Sequence, residues 1–148
     1  MGRHIAVAAA SGLGKTIGVL SATLPFVAGN NLRILYVART HKECDRAIEE
    51  LKAICERTHV SGISIRGRSE ACFNKMISDR SVDAKAAMEM CSEFKKRGLC
   101  NFFERLRSKS RDVEKAARRI TQKPTLFSEM TEMCRNLGVC AYELSKLV

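Results

Sequence analysis

The chain has 148 residues, enough for one domain with a buried core. Its 26 Lys and Arg against 16 Asp and Glu leave a net charge of +10, which favours a polyanionic partner, nucleic acid ahead of a membrane surface. No apolar run approaches membrane-spanning length, so composition excludes a spanning protein.

In chain order, residues 4–10 read as a buried strand, by their continuous apolar character. A glycine-bearing loop follows, then a helix over residues 15–28 softly interrupted at Pro25. Gly29-Asn30-Asn31 is a turn, and residues 33–38 (Arg-Ile-Leu-Tyr-Val-Ala) are a second strand. Residues 41–57 form an amphipathic helix, with Cys44, Ala47, Ile48, Leu51, Ile54 and Cys55 at three- and four-residue steps. Residues 61–66 are a short strand. Alternating strands and helices imply an α/β unit with a parallel sheet. From residue 68 onward the character changes. Residues 81–96, 110–120 and 125–136 have helical spacing, and Gly98 and Gly138 stand where helices end. Apolar residues in this second part are spaced too thinly for a large conventional core, a shortage that an inorganic staple would answer.

The run Ala9-Ala10-Ser11-Gly12-Leu13-Gly14-Lys15-Thr16 lies between the first strand and the first helix. That is the setting of a phosphate-binding loop. Its glycines let backbone N–H groups approach phosphate oxygens, Lys15 reaches the outer phosphates, and the Thr16 hydroxyl sits on magnesium. The general pattern has Gly where Ala9 stands; Ala there is the helicase variant. The alternative is a tight strand–helix turn whose lysine is merely solvated.

Seven cysteines is a high and odd number. Met1–Ala10 faintly resembles a signal peptide, but the loop occupies the place of cleavage, so a reducing cytosol or nucleus is expected, where cysteines read as metal or cluster ligands before disulfides. Cys72, Cys91, Cys100, Cys134 and Cys140 fall in the second part, with no Cys-x-x-Cys pair. This is a poor zinc-finger signature, compatible with a cluster whose thiolates come from separate loops and helix ends. The same residues also fit as small apolar side chains on helix faces, as Cys44 and Cys55 do.

Taken together, these motifs resemble the XPD-type, iron–sulfur-containing superfamily 2 DNA helicases, with the archaeal members nearest. Residues 9–16 look like helicase motif I, and Tyr36-Val37-Ala38-Arg39-Thr40-His41-Lys42-Glu43 looks like motif Ia. Ser61 to Arg68 leads to Cys72, and Leu137-Gly138-Val139-Cys140-Ala141-Tyr142-Glu143-Leu144 looks like the closing motif of the cluster domain. The family usually has Pro where Ala10 and Ala141 stand.

The resemblance implies a partial P-loop NTPase (RecA-like) motor domain over residues 1–67 and a small, mainly helical iron–sulfur domain over 68–148. It implies that Ser11, Gly12, Leu13, Gly14, Lys15 and Thr16 bind ATP and Mg2+, with Lys15 and Thr16 in the catalytic role. It implies that Cys72, Cys91, Cys100 and Cys140 hold a 4Fe-4S cluster, with Cys134 the substitute for Cys140 if the alignment slips. Arg39, Thr40 and His41 would meet single-stranded DNA, and Arg68 would lie near the cluster and the DNA path.

The activity implied is that of an ATP-dependent DNA helicase acting on single-stranded or forked DNA in repair, cytoplasmic in a prokaryote or archaeon and nuclear in a eukaryote. No Asp-Glu-Ala-His segment follows, so the acid that orients water and the second motor domain are expected from the remainder of the helicase, and the chain alone is expected to bind rather than hydrolyse ATP. Two rivals stand beside this reading. One is a small P-loop kinase or related NTPase; the other is a zinc- or cluster-stabilised nucleic-acid-binding module.

Overall fold

The computed structural model describes residues 4–55, 60–79, 82–108 and 110–147, and among them the architecture is helical. The helices are α1 (Lys15–Gly29), α2 (His41–Cys55), α3 (Arg68–Ala71), α4 (Lys75–Ser78), α5 (Ala84–Lys96), α6 (Asn101–Arg107), α7 (Arg111–Gln122), α8 (Phe127–Leu137) and α9 (Ala141–Leu144), followed by a 3-10 turn at Ser145–Leu147.

Local chemistry sets the helix starts. At α2, the Glu43 N–H donates to the Thr40 hydroxyl at 3.3 Å while the Thr40 N–H donates to the Glu43 carboxylate at 3.1 Å. This reciprocal box satisfies two donors that a helix start leaves open. Asp83 caps α5 by accepting from the Ala86 N–H at 2.7 Å, and Ser110 caps α7 by accepting from the Val113 N–H. Residue 81, where the sequence starts the α5 helix, and residues 56–57, where it ends the α2 helix, lie outside the described residues. Helix α1 continues through Pro25 despite the N–H that proline lacks. Gly98 and Gly138 both take left-handed backbone, with φ of 67° and 66°. Each closes its helix with paired bonds: Leu99 N–H to Phe94 O with Gly98 N–H to Lys95 O, and Val139 N–H to Cys134 O with Gly138 N–H to Arg135 O. Both are Schellman closures, as the sequence predicts.

The expected parallel sheet does not form. Among the described residues there is no strand, and the pairing present is an isolated parallel bridge between Ile63 and Thr125. The apolar runs at 4–10 and 33–38 are without regular structure and turned outward, Ile5 being 87% and Leu35 83% exposed. A continuous apolar run describes a strand that is buried on both faces. It becomes one only with ladder partners at its edges and helices over its faces. These two segments and residues 61–66 do not pair with one another, so the P-loop NTPase sheet expected for residues 1–67 is replaced by the α1–α2 helix pair with loops around it.

The second correction concerns the core. The largest buried cluster lies in the part judged too thin in apolar residues: Ala71, Val113, Ile120, Phe127, Met130, Cys134, Val139, Ala141 and Leu144. Small residues complete it, since Ala71, Cys134 and Ala141 let α3, α8 and α9 approach closely. A second cluster joins α1 to α2 through Leu20, Leu24, Ile48 and Leu51, and a third holds Ile77, Ala87 and Cys91.

Met130→Ala removes a fully buried side chain from the largest cluster and is expected to cost about 2–5 kcal/mol in urea-induced unfolding. Lys52 of α2 holds both carboxylate oxygens of Glu129 at 2.7 Å. Burial raises the Glu129 pKa, but Lys52 and the Leu126 N–H outweigh it and hold the carboxyl below its ordinary 4.5. A depressed carboxyl stabilises the fold above its unfolded value and loses that contribution as pH falls through the folded value. Stability is therefore expected to decline below about pH 4.5, less steeply in Lys52→Met, as thermal unfolding across pH measures.

Candidate functional site

Two features stand out. The first is the loop before α1. Gly12 and Gly14 carry φ of 83° and 73°, a left-handed backbone that side chains rarely adopt. Gly14 is the N-cap, with no side-chain cap and no acidic residue in the first turn. The first N–H groups of α1 thus meet no capping side chain and carry the positive end of the helix dipole. The Lys15 ammonium turns back and donates to the carbonyls of Ala9 at 3.2 Å and Ala10 at 2.7 Å. Ser11, Gly12, Leu13 and Gly14 are exposed, and Thr16 is half-buried with its hydroxyl 3.5 Å from that of Tyr36. A pocket beside them is lined by Lys15, Thr16, Val19, Tyr36, Ala38, Glu43 and Arg46. Tyr36 is an addition to the expected set. Its signal in the sequence was its place ahead of Arg39-Thr40-His41.

The second feature is the group of cysteines. Cys72 ends α3, Cys91 lies in α5, Cys100 is the N-cap of α6 and Cys140 the N-cap of α9. Cys72 packs against the small cluster that contains Cys91. The Cys140 N–H donates to the Phe102 carbonyl at 3.0 Å, which ties the last cysteine to the helix that Cys100 begins. Burial pushes the Cys72 thiol up; the Asn74 N–H opposes it, the neighbouring Cys91 and Cys100 sulfurs add to the rise, and Arg68 opposes it. Burial pushes Cys140 up to about 11, against the Glu143 N–H, with Cys100 and Cys72 among the neighbours adding to the rise. Cys72 is thus near Cys91 and Cys100, and Cys140 near Cys100 and Cys72, from separate segments.

Cys134 differs. It is fully buried in the main core and pushed up to about 12, by burial first and then by Cys140. It behaves as the small apolar residue that helix spacing allows. Among the described residues no three His, Cys, Asp or Glu side chains are grouped as a single metal ion needs. One tetrahedral zinc holds its sulfurs about 3.8 Å apart, as its 2.3 Å bonds require.

Arg68 sits among them. Its guanidinium lies 4.5 Å from the centre of the Tyr142 ring. Burial lowers its pKa, but hydrogen bonding to Tyr142 and the Cys91 sulfur beside it outweigh that and raise it. Arg39, Thr40 and His41 are exposed at the start of α2. Glu43 accepts from the N–H groups of Arg39 and Thr40 at 3.1 Å and pairs with the Arg39 guanidinium at 3.4 Å, while His41 lies 3.4 Å from Glu70. Lys95 is not a solvated helix-end charge: it pairs with Glu143 at 2.8 Å and lies over Phe103. Phe102 packs edge-on against Phe73, with ring centres 5.4 Å apart.

No helix among the described residues is long and apolar enough to cross a membrane. A regulator of telomere elongation helicase 1 homolog from Anopheles gambiae is 27% identical over 120 residues, which cover 80% of this chain and 11% of that protein. The chain thus spans about a ninth of that relative's length. The DEAD_2 family model matches residues 36–148, beginning at Tyr36, so the phosphate loop lies outside the match and stands on its own residues. With roughly three-quarters of its length matched, the chain belongs to the DEAD_2 family and is a helicase-type domain.

Proposed function

We propose that this chain is a nucleotide- and DNA-binding piece of an ATP-dependent iron–sulfur DNA helicase of the XPD type. Residues 1–67 would contribute half of the ATP site and residues 68–148 the cluster domain. What supports the reading is that, in a DEAD_2 chain, Cys72 packs against the cluster that contains Cys91 while the Cys140 N–H bonds the Phe102 carbonyl of the helix that Cys100 begins. Those four cysteines would hold a 4Fe-4S centre, which when bound supplies a covalent link between α3, α5, α6 and α9. Arg68 places a cation beside the Cys91 sulfur, suited to a site that gathers negative charge.

Ser11 to Thr16 would bind the phosphates of ATP, with Lys15 exchanging the Ala9 and Ala10 carbonyls for phosphate oxygens and Thr16 meeting Mg2+. Glu43 is the carboxylate among the pocket's lining residues, and it is held by Arg39 and Thr40. On this reading the chain alone would bind ATP, with hydrolysis left to the remainder of the helicase. Arg39, Thr40 and His41 would contact single-stranded DNA.

Anaerobically purified chain is expected to be brown, with about four iron and four sulfide per chain, and Cys100→Ser to lose most of both. A colourless chain holding one zinc would overturn the cluster reading. Lys15→Ala is expected to weaken binding of a fluorescent ATP analogue with Mg2+ by about tenfold or more, the scale of one charge-assisted hydrogen bond. Equal affinity in the variant and the parent would return the loop to a plain strand–helix turn.

A further inference from the structure

The basic charge of this chain is concentrated. Residues 105–123 carry eight Lys and Arg against two acids, so +6 of the net +10 lies in this stretch. Helix α7 is its folded centre. Val113, Ala116 and Ile120 form the buried face of α7. At about 100° per residue, Arg111, Lys115, Arg118 and Arg119 fall within an arc of about 100° on the opposite side. All four are exposed.

Other helices answer their cations with acids a turn away: Arg46 with Glu50, Arg97 with Glu93, Arg107 with Glu104 and Lys146 with Glu143. On α7 none of the four cations is in an ion pair among the described residues. Its acids, Asp112 and Glu114, sit in the first turn, where the helix dipole favours them. Asp112 stands three residues from Lys115 and Glu114 four from Arg118, but neither pair closes to an ion pair among the described residues, and the cations neighbour one another at the i,i+4 spacings Arg111/Lys115 and Lys115/Arg119 and the i,i+3 spacing Lys115/Arg118. Like charges at those spacings weaken a helix unless an anion lies across them. On the α8 side, a groove holds Lys115, Arg119 and Lys123 on one wall and Glu129 and Glu132 on the other. Glu129 is taken by Lys52. Glu132 would repel an anion entering the groove, so the free track runs along the outer line of Arg111, Lys115 and Arg118.

We propose that this outer face of α7 is a contact surface for the sugar–phosphate backbone of single-stranded nucleic acid, separate from Arg39, Thr40 and His41. It rests on the nucleic-acid reading above and adds a second place of contact. Three arginines with one lysine suit phosphate, because the guanidinium fork matches two phosphate oxygens. The face offers no apolar side chains to a bilayer, since those of α7 are spent in the core.

The test is fluorescence anisotropy of the 148-residue chain on a fluorescein-labelled 20-nucleotide oligothymidine at several potassium chloride concentrations. In the triple variant Arg111→Gln, Lys115→Gln, Arg118→Gln, affinity falls and the slope of log K against log salt becomes shallower by about 2, the loss of three phosphate contacts on a single strand. Far-UV circular dichroism matching the parent shows that the fold is kept, and the variant Arg111→Lys, Arg118→Lys keeps the slope. An unchanged slope in the triple variant overturns the proposal. If Arg39→Gln then weakens binding, the contact at the start of α2 survives and only the α7 surface is lost. If the triple variant loses slope and Arg39→Gln changes nothing, α7 stands and the α2 contact falls. Loss of binding to phosphatidylserine vesicles without loss on the oligonucleotide also overturns it, in favour of a membrane surface.

Discussion

The two halves of this chain are joined by a short backbone exchange, and the rest of the structure takes its register from it. The Thr125 N–H donates to the Gly62 carbonyl at 2.8 Å, the Ser64 N–H to the Thr125 carbonyl at 3.4 Å, and the Phe127 N–H to the Ser64 hydroxyl at 2.7 Å. Ser64 and Thr125 are the buried polar residues, and these bonds are what make their burial tolerable. Arg66 extends the junction. It bonds Asp45 of α2 at 2.6 Å, reaches Glu70 of α3 at 3.5 Å and lies 4.5 Å above the Phe127 ring of α8. The network is incomplete, because the Asp45 Oδ1 and the Arg66 Nε are buried without a hydrogen-bond partner. A half-satisfied buried pair adds little net stability, but it penalises every arrangement that separates its members. Its effect is therefore to fix geometry.

That geometry reaches the cysteines through chain continuity. Helix α3 begins two residues after Arg66 and ends at Cys72. Helix α8 begins two residues after Thr125 and ends at Gly138, two residues before Cys140. The junction thus sets the starting points of the segments that carry the first and last of the four sulfurs. The third is set the same way as the last. Gly98 closes α5 with a left-handed turn and Cys100 caps α6; Gly138 closes α8 with the same turn and Cys140 caps α9. In both, a glycine reverses the chain and the second residue after it begins a helix with its sulfur near open N–H groups.

Much of this was legible in the residues, and the failures have a common cause. Helix spans followed from apolar spacing, because a helix satisfies its own backbone and needs only one face covered. Gly98 and Gly138 were legible because only glycine takes that backbone at little cost. The sheet was not legible correctly. Ile5, Val7, Leu35 and Val37 have the composition of buried strands, yet a strand depends on neighbours that its own sequence does not contain. The core of the second half was underestimated because alanine and cysteine do not stand out among apolar residues, although Ala71, Cys134 and Ala141 are what let its helices close. Arg66 gave no signal at all. Nothing local marks an arginine that will face Asp45, Glu70 and Phe127.

The two proposed anion sites would work by unlike means. In the phosphate loop the donors are backbone N–H groups at the start of α1, fixed by Gly12 and Gly14, with Lys15 as the one formal charge. Lys15 is already occupied, since its ammonium lies on two carbonyls of its own loop. On the proposed reading, a triphosphate would exchange carbonyl oxygens for anionic ones around a charge that is already held in place, which would limit the ordering cost of binding. On α7 the donors would be long, exposed side chains that make no ion pair among the described residues, and an anion there would have to order each of them while releasing the ions that screen it. The first arrangement selects by shape, because rigid dipoles fit one cluster of oxygens. The second selects by charge density along a line. A chain that bound a nucleotide at one end and a flexible polyanion at the other, as proposed, would call on both, and what sets the two apart is partnering: Lys15 lies on two carbonyls of its own loop, while the equally exposed α7 cations make no ion pair among the described residues.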